Sequence, residues 1–112
     1  MTKSHAPAAA EAVVLTVTGA LDILTAPSFE QTLRETLALR PKAVVIDLTD
    51  LDFLASAGLA ALVEGHRIAG TATAFAVVAV GPATRRPLQL TGLSDVFGVF
   101  ATLDEAVAKF AE

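Results

Sequence analysis

The chain has 112 residues, of which 54% are hydrophobic, and it carries a formal net charge of −4. This length is that of one domain with a single core. Cysteine is absent, which excludes disulfides and thiolate chemistry. The acidic balance argues against direct nucleic acid binding, because Arg85-Arg86 is the only adjacent basic pair.

The first residues carry little structural signal. Residues 1–11 are rich in alanine and lack the charged start and apolar core of an export signal. We therefore expect a flexible leader over residues 1–11, a folded domain over residues 12–112, and a cytoplasmic protein.

A strand and a helix are predicted next. Ala12 to Thr18 alternates and is rich in β-branched residues, which predicts a strand that Gly19 ends. Thr25 is a candidate cap for a helix that Pro41 stops. The inward face of this helix is predicted to carry Phe29, Leu33 and Leu37.

The central segment combines a buried strand with a helix. Ala43 to Leu48 is a short and nearly continuous apolar run, which predicts a buried strand. Past Phe53, four residues at helical spacing predict a helix that ends near Gly70, namely Leu59, Leu62, Val63 and His66.

Ser56 immediately precedes this helical stripe. A serine at that position is typical of an N-cap, whose hydroxyl accepts a hydrogen bond from an amide of the first turn. The same amides and the positive end of the helix dipole would also stabilise a phosphate on Ser56. Position alone favours the cap.

The C-terminal half predicts further alternation of strands and helices. Phe75 to Val80 has the length of a strand rather than the roughly 20 residues of a membrane span. Pro82 to Thr91 is predicted to contain a helix that Gly92 stops, and Val96 to Phe100 to form a short edge strand. Thr102-Leu103-Asp104-Glu105 matches a capping box, which opens a last helix with Leu103, Val107 and Phe110 inward. This alternation indicates an α/β domain.

Three segments resemble the STAS domain family, and specifically the bacterial anti-sigma factor antagonists. They read V-V-I-D-L-T-D-L-D-F-L-A-S-A-G-L-A-A-L-V around Ser56, T-G-A-L-D at Thr18 to Asp22, and L-Q-L-T-G-L-S-D-V-F at Leu88 to Phe97. The resemblance covers residues 12 to 112. It implies one STAS-like α/β domain, in which a mixed sheet of four to five strands is interspersed with about four helices.

The resemblance also implies a function. In that family the unmodified protein binds an anti-sigma factor, usually a serine kinase, and so frees a sigma factor. Phosphorylation of the serine at the position of Ser56 ends the binding, and a serine phosphatase restores it. The implied contact surface comprises Ala57, Gly58 and Leu59 around Ser56, with Asp22 and Thr49 on neighbouring loops. The family commonly has an acidic residue at the position of Ala55, which we include in this surface.

Enzymatic alternatives have weaker support. The nucleophile-elbow pattern would need glycine at Leu54, and His66 lies about 15 Å along the helix from Ser56. His66 is expected to be a packing residue rather than a metal ligand. The carboxylates of Asp47, Asp50 and Asp52 are typical of a solvated turn. We expect a regulatory protein that has no cofactor and no metal.

Two binding alternatives stay open. Ala55 favours a constitutive STAS-like module that serves a transporter or a signalling complex without being phosphorylated. A nucleotide-binding domain has less support, because no glycine-rich phosphate loop follows a predicted strand.

Overall fold

The computed structural model describes residues 2–6 and 9–111. In that part of the chain, seven strands, four α-helices and a short 3-10 helix follow one another. They are β1 Thr2–Ala6, β2 Ala9–Thr16, β3 Gly19–Leu21, α1 Ala26–Ala38, β4 Ala43–Asp47, β5 Leu51–Leu54, α2 Ser56–Ala69, β6 Ala74–Val78, α3 Arg85–Leu90, the 3-10 helix Leu93–Asp95, β7 Gly98–Phe100 and α4 Leu103–Ala111. The predicted fold class, an α/β domain with a mixed sheet and about four helices, is confirmed.

The main sheet has five strands in the order β1-β2-β4-β6-β7. β1 is antiparallel to β2, whereas β2, β4, β6 and β7 run parallel to one another. The central strand β4 is buried on both faces, and Val44, Val45 and Ile46 have no exposed surface. Burial on both faces explains why this strand is a continuous apolar run instead of an alternating one.

Helices cover both faces of this sheet. Val44 and Ile46 belong to the larger core together with Phe29 and Leu33 of α1 and Leu62 of α2. On the opposite face, Val45 of β4 and Val78 of β6 pack against Ala106 and Val107 of α4. The domain therefore has two apolar layers separated by the sheet.

A second, smaller sheet lies beside the N-terminal end of α2. It consists of β3 and β5, which run parallel, with Leu21 opposite Leu54 and Ala20 opposite Phe53. Neither strand was predicted as a separate element, because runs of three and four residues are too short to show periodicity.

Residues 2–6 form a strand within the segment for which the sequence predicted a flexible leader. Thr2 pairs with Thr16 and His5 with Val13, so that β1 lies at the edge of the main sheet. An edge strand is held by backbone hydrogen bonds and needs no apolar alternation, which is why the sequence did not reveal it. Residues 1, 7, 8 and 112 of the chain lie outside the described residues.

The predicted helices are confirmed with small changes in their faces. Phe29, Leu33 and Leu37 of α1 are buried as expected. In α2 the buried residues include Ala61 and Gly65, whereas Val63, which was predicted to face inward, is 41% exposed. At the start of α4 the Glu105 amide donates to Thr102 Oγ1 over 3.1 Å, which is one of the two hydrogen bonds of a capping box. Among the described residues, no helix has both the length and the apolar character needed to cross a bilayer.

Candidate partner-binding site

Ser56 is the first residue of α2, and it directly follows the extended residue Ala55. The predicted N-cap assignment of Ser56 is wrong, because the N-cap position belongs to Ala55, with φ −89° and ψ 173°. The Ala55 methyl group cannot accept a hydrogen bond, so that no side chain caps this helix. Ser56 is exposed, and its hydroxyl has no hydrogen-bond partner among the described residues.

The small sheet brings the Asp22 loop next to Ser56. Leu21 and Leu54 pair at the ends of β3 and β5, and the Ala55 amide donates to the Leu21 carbonyl oxygen over 2.9 Å. Asp22 follows Leu21 directly, and Ser56 follows Ala55. Because the strands are parallel, the two loops leave the sheet at the same end.

Asp22 organises its own loop. Its Oδ1 accepts hydrogen bonds from the amides of Leu24 at 2.9 Å and Thr25 at 3.1 Å. In return, the Asp22 amide donates to Thr25 Oγ1 over 2.9 Å. The hydrogen bond from the Thr25 amide, and next that from the Leu24 amide, lower the pKa of the Asp22 carboxyl below its ordinary value. Asp22 is thus a structural turn residue that also keeps a negative charge close to Ser56.

Gly58 lies beneath the site rather than on its surface. It is buried, and a Cβ at this position would come within 2.9 Å of Leu21 Cγ, the Leu21 carbonyl oxygen and Leu54 Cδ1. The absence of a side chain therefore lets the first turn of α2 approach the small sheet closely. Its predicted neighbours Ala57 and Leu59 are half-buried.

Thr49 lies at the other end of the small sheet. Its amide donates to Asp47 Oδ1 over 3.0 Å, and its hydroxyl donates to the same oxygen. Leu51, two residues later, pairs with Gly19 at the start of β3. Six residues lie between Thr49 and Ser56, and the four of them that form β5 extend by about 3.3 Å each. The structure therefore brings Asp22 to Ser56 but does not bring Thr49 there.

Sequence reasoning missed three exposed apolar side chains close to Ser56. Ile23, Leu24 and Phe53 are 78%, 85% and 55% exposed, respectively. An apolar residue in a sequence ordinarily indicates burial. The sequence did hold one sign of this exposure. Ile23 and Leu24 lie between the turn residues Asp22 and Thr25, and a segment of two residues is too short to form an amphipathic strand or helix that would bury them.

His66 packs against aromatic side chains, away from Ser56. Its ring lies 5.9 Å from the ring of Phe75 and 5.8 Å from that of Phe97. This arrangement confirms that His66 is a packing residue. Within the described residues, no group of three or more His, Cys, Asp or Glu side chains is arranged to hold a metal ion.

Comparison with known proteins assigns the family. The STAS domain family matches residues 4–106, and the chain therefore belongs to it. The chain is 42% identical over 94 residues to the anti-sigma-F factor antagonist RsfB of Mycobacterium tuberculosis, a match covering 84% of this chain and 77% of RsfB.

Solved structures agree with this assignment. A crystal structure of an anti-sigma factor antagonist from Mycobacterium paratuberculosis is 40% identical, with a TM-score of 0.93 over 99% of this chain and 92% of that one. The antagonist SpoIIAA in its unphosphorylated form is 19% identical, with a TM-score of 0.77 over 96% of this chain and 95% of its own. SpoIIAA shows the shared fold, and it has also been solved in a phosphorylated form.

Proposed function

We propose that this chain is an anti-sigma factor antagonist that binds an anti-sigma factor of the serine-kinase type and is released when Ser56 is phosphorylated. The observation that carries the proposal is the 42% identity to RsfB, which is named for antagonising an anti-sigma-F factor. The existence of SpoIIAA in a phosphorylated form supports a phosphorylation switch in this family.

The geometry of Ser56 suits a kinase substrate. The side chain is exposed at the start of α2, and its hydroxyl is engaged in no hydrogen bond with the described residues. In the proposed step, Ser56 Oγ attacks the γ-phosphorus of ATP, the bond from this phosphorus to the bridging oxygen of ADP breaks, and the hydroxyl proton is released.

The phosphate would act locally. It adds close to two negative charges beside the Asp22 carboxylate and exposed apolar side chains. A charged group at the centre of a packed contact must be desolvated, which weakens binding. A 100-fold loss of affinity corresponds to about 2.7 kcal/mol, which one such group supplies.

The first test is direct phosphorylation. The purified chain is incubated with ATP and with anti-sigma factors, namely the M. tuberculosis anti-sigma-F factor and those encoded in the genome of origin, each tested for kinase activity. Peptide mass spectrometry should place one phosphate on Ser56, and Ser56→Ala should abolish it. Ser28→Ala, which removes another exposed serine in the first turn of a helix, should leave it unchanged.

The second test measures binding. Ser56→Glu should weaken binding to the anti-sigma factor by about 100-fold, because it places a carboxylate in the contact. Ala108→Glu, at an exposed position of α4 on the opposite face of the main sheet, should bind like the wild type. Tight binding without any phosphorylation would favour the constitutive module instead. Absence of binding to every kinase would overturn the proposed function.

A further inference from the structure

Three exposed apolar residues and the half-buried Ala20 form an apolar surface beside Ser56. This apolar strip consists of Ala20, Ile23, Leu24 and Phe53. Ala20 pairs with Phe53 across β3 and β5, and Ala20 and Leu24 line the same shallow pocket at the start of α1. Ile23 precedes Leu24 in the same loop.

The strip is held in a defined shape. The Leu24 and Thr25 amides donate to Asp22 Oδ1, and Thr25 Oγ1 lies 2.9 Å from the Ala20 carbonyl oxygen. The backbone that carries Ile23 and Leu24 is thereby tied to β3. A preorganised apolar surface loses less conformational entropy on association than a flexible one.

The charged residues in the two segments that carry the strip are all acidic. The two segments that carry it, residues 18–28 and 49–57, contain Asp22, Asp50 and Asp52 and no lysine or arginine. Asp50 and Asp52 are exposed. A partner that fits this surface must present apolar side chains surrounded by basic groups, because an acidic rim would be repelled.

We propose that the apolar strip is the anchor by which this chain holds its anti-sigma factor, and that the strip receives an apolar patch rimmed by lysine or arginine. This inference rests on the proposed function and adds to it the energetic centre of the contact. Large apolar side chains near the middle of an interface typically supply most of its binding energy. Ser56, three residues after Phe53, would then modulate the contact, and the strip would provide its affinity.

The experiment compares four alanine variants by calorimetric titration with the anti-sigma factor that binds the wild type. Leu24→Ala and Phe53→Ala should each weaken binding at least tenfold. The controls are Leu39→Ala and Leu90→Ala, which truncate side chains that are both 75% exposed elsewhere on the domain. They should change affinity less than twofold. Because Leu24 lies in an exposed loop, Leu24→Ala keeps the fold even if Phe53→Ala disturbs β5, and circular dichroism checks both.

A further arm examines the charged rim. Asp52→Asn should slow association about twofold at low ionic strength, with the difference disappearing at high salt. If Asp52→Asn associates as fast as the wild type at both salt concentrations, the proposal that the partner surface is basic is overturned.

The possible failures are distinguishable. If the wild type binds and Leu24→Ala binds equally well, the anchor proposal is overturned while the proposed function stands. If the wild type binds none of the anti-sigma factors, the proposed function itself fails. Sedimentation of the chain alone tests a second copy as the occupant: a dimer that Leu24→Ala dissociates would overturn the assignment of the strip to the anti-sigma factor.

Discussion

Ala55 leaves α2 without a side-chain cap at the point where the candidate switch residue begins the helix. The backbone at Ala55 is already extended, as an N-cap requires. No side chain therefore accepts a hydrogen bond from the first amides of α2, and these amides can stabilise a phosphate on Ser56.

Replacing Ala55→Asp should stabilise the domain. An aspartate in this backbone conformation can accept from an amide of the first turn, which is typically worth about 1 kcal/mol. Urea denaturation should show a higher midpoint with an unchanged slope. Ala55→Val, which adds bulk without an acceptor, serves as the control and should give no such gain.

Asp22 is expected to make stability depend on pH. Its pKa is lowered in the folded state, so that its contribution is complete above the unfolded value and is lost as the pH falls through the folded value. Asp22→Ala should therefore lower the urea midpoint at pH 7, and the difference from the wild type should narrow below pH 3.8, the ordinary value for this group. Asp22→Asn keeps one acceptor oxygen, and its urea midpoint at pH 7 should lie between those of the wild type and Asp22→Ala. A gap that is constant with pH would contradict this role for the carboxylate.

Elements meet at the site through close packing rather than through polar contacts. The first turn of α2 lies against the ends of β3 and β5, and Gly58 is the residue at which they touch. This contact sets the position of Ser56 relative to the Asp22 loop.

Gly58→Ala should destabilise the domain even though alanine favours helices. The added methyl would lie 2.9 Å from the Leu21 carbonyl oxygen, a backbone atom that cannot move aside easily. Overpacking of this kind typically costs 1–3 kcal/mol. Gly81→Ala is the matched control, since a Cβ there meets nothing within 4 Å. Equal urea midpoints for both variants would show that α2 can move away from the small sheet and accommodate the added methyl group.

At the scale of the whole molecule, we propose that stability and partner binding depend on different parts of the chain. The fully buried side chains lie in the two apolar layers on either side of the main sheet, whereas the exposed side chains of the apolar strip lie on the small sheet and its loop. Substitutions in the first group should change unfolding, and substitutions in the second should change binding.

Ile46→Ala tests this separation. Ile46 has no exposed surface in the central strand β4, and truncating a buried isoleucine typically costs 2–5 kcal/mol. Thermal or urea unfolding should show that loss, while the fraction that remains folded binds the anti-sigma factor with wild-type affinity. Leu39→Ala, at a 75% exposed position, should stay within about 0.5 kcal/mol of the wild type. Weakened binding by folded Ile46→Ala protein would show that the core and the site are coupled.

Long and strongly patterned segments were predictable from the sequence. The apolar run of β4, the periodic face of α1 and the Thr102 side-chain cap of α4 each depend on neighbouring residues, and all three appear in the structure. Ser56 was identified as the residue immediately before a predicted helical stripe, and the motif around it indicated the family.

The tertiary structure alone decided the shape of the site. Pairing of β3 with β5 joins segments about 30 residues apart, and such long-range pairing leaves no periodic trace in three- or four-residue strands. In the folded chain the N-cap is Ala55, Gly58 packs beneath the site, and Thr49 lies away from Ser56. Leu24 and Phe53 are exposed. The sequence by itself determined which residues favour a strand, a helix or a turn, because those preferences are local; which of them share a surface depends on contacts that only the folded chain makes.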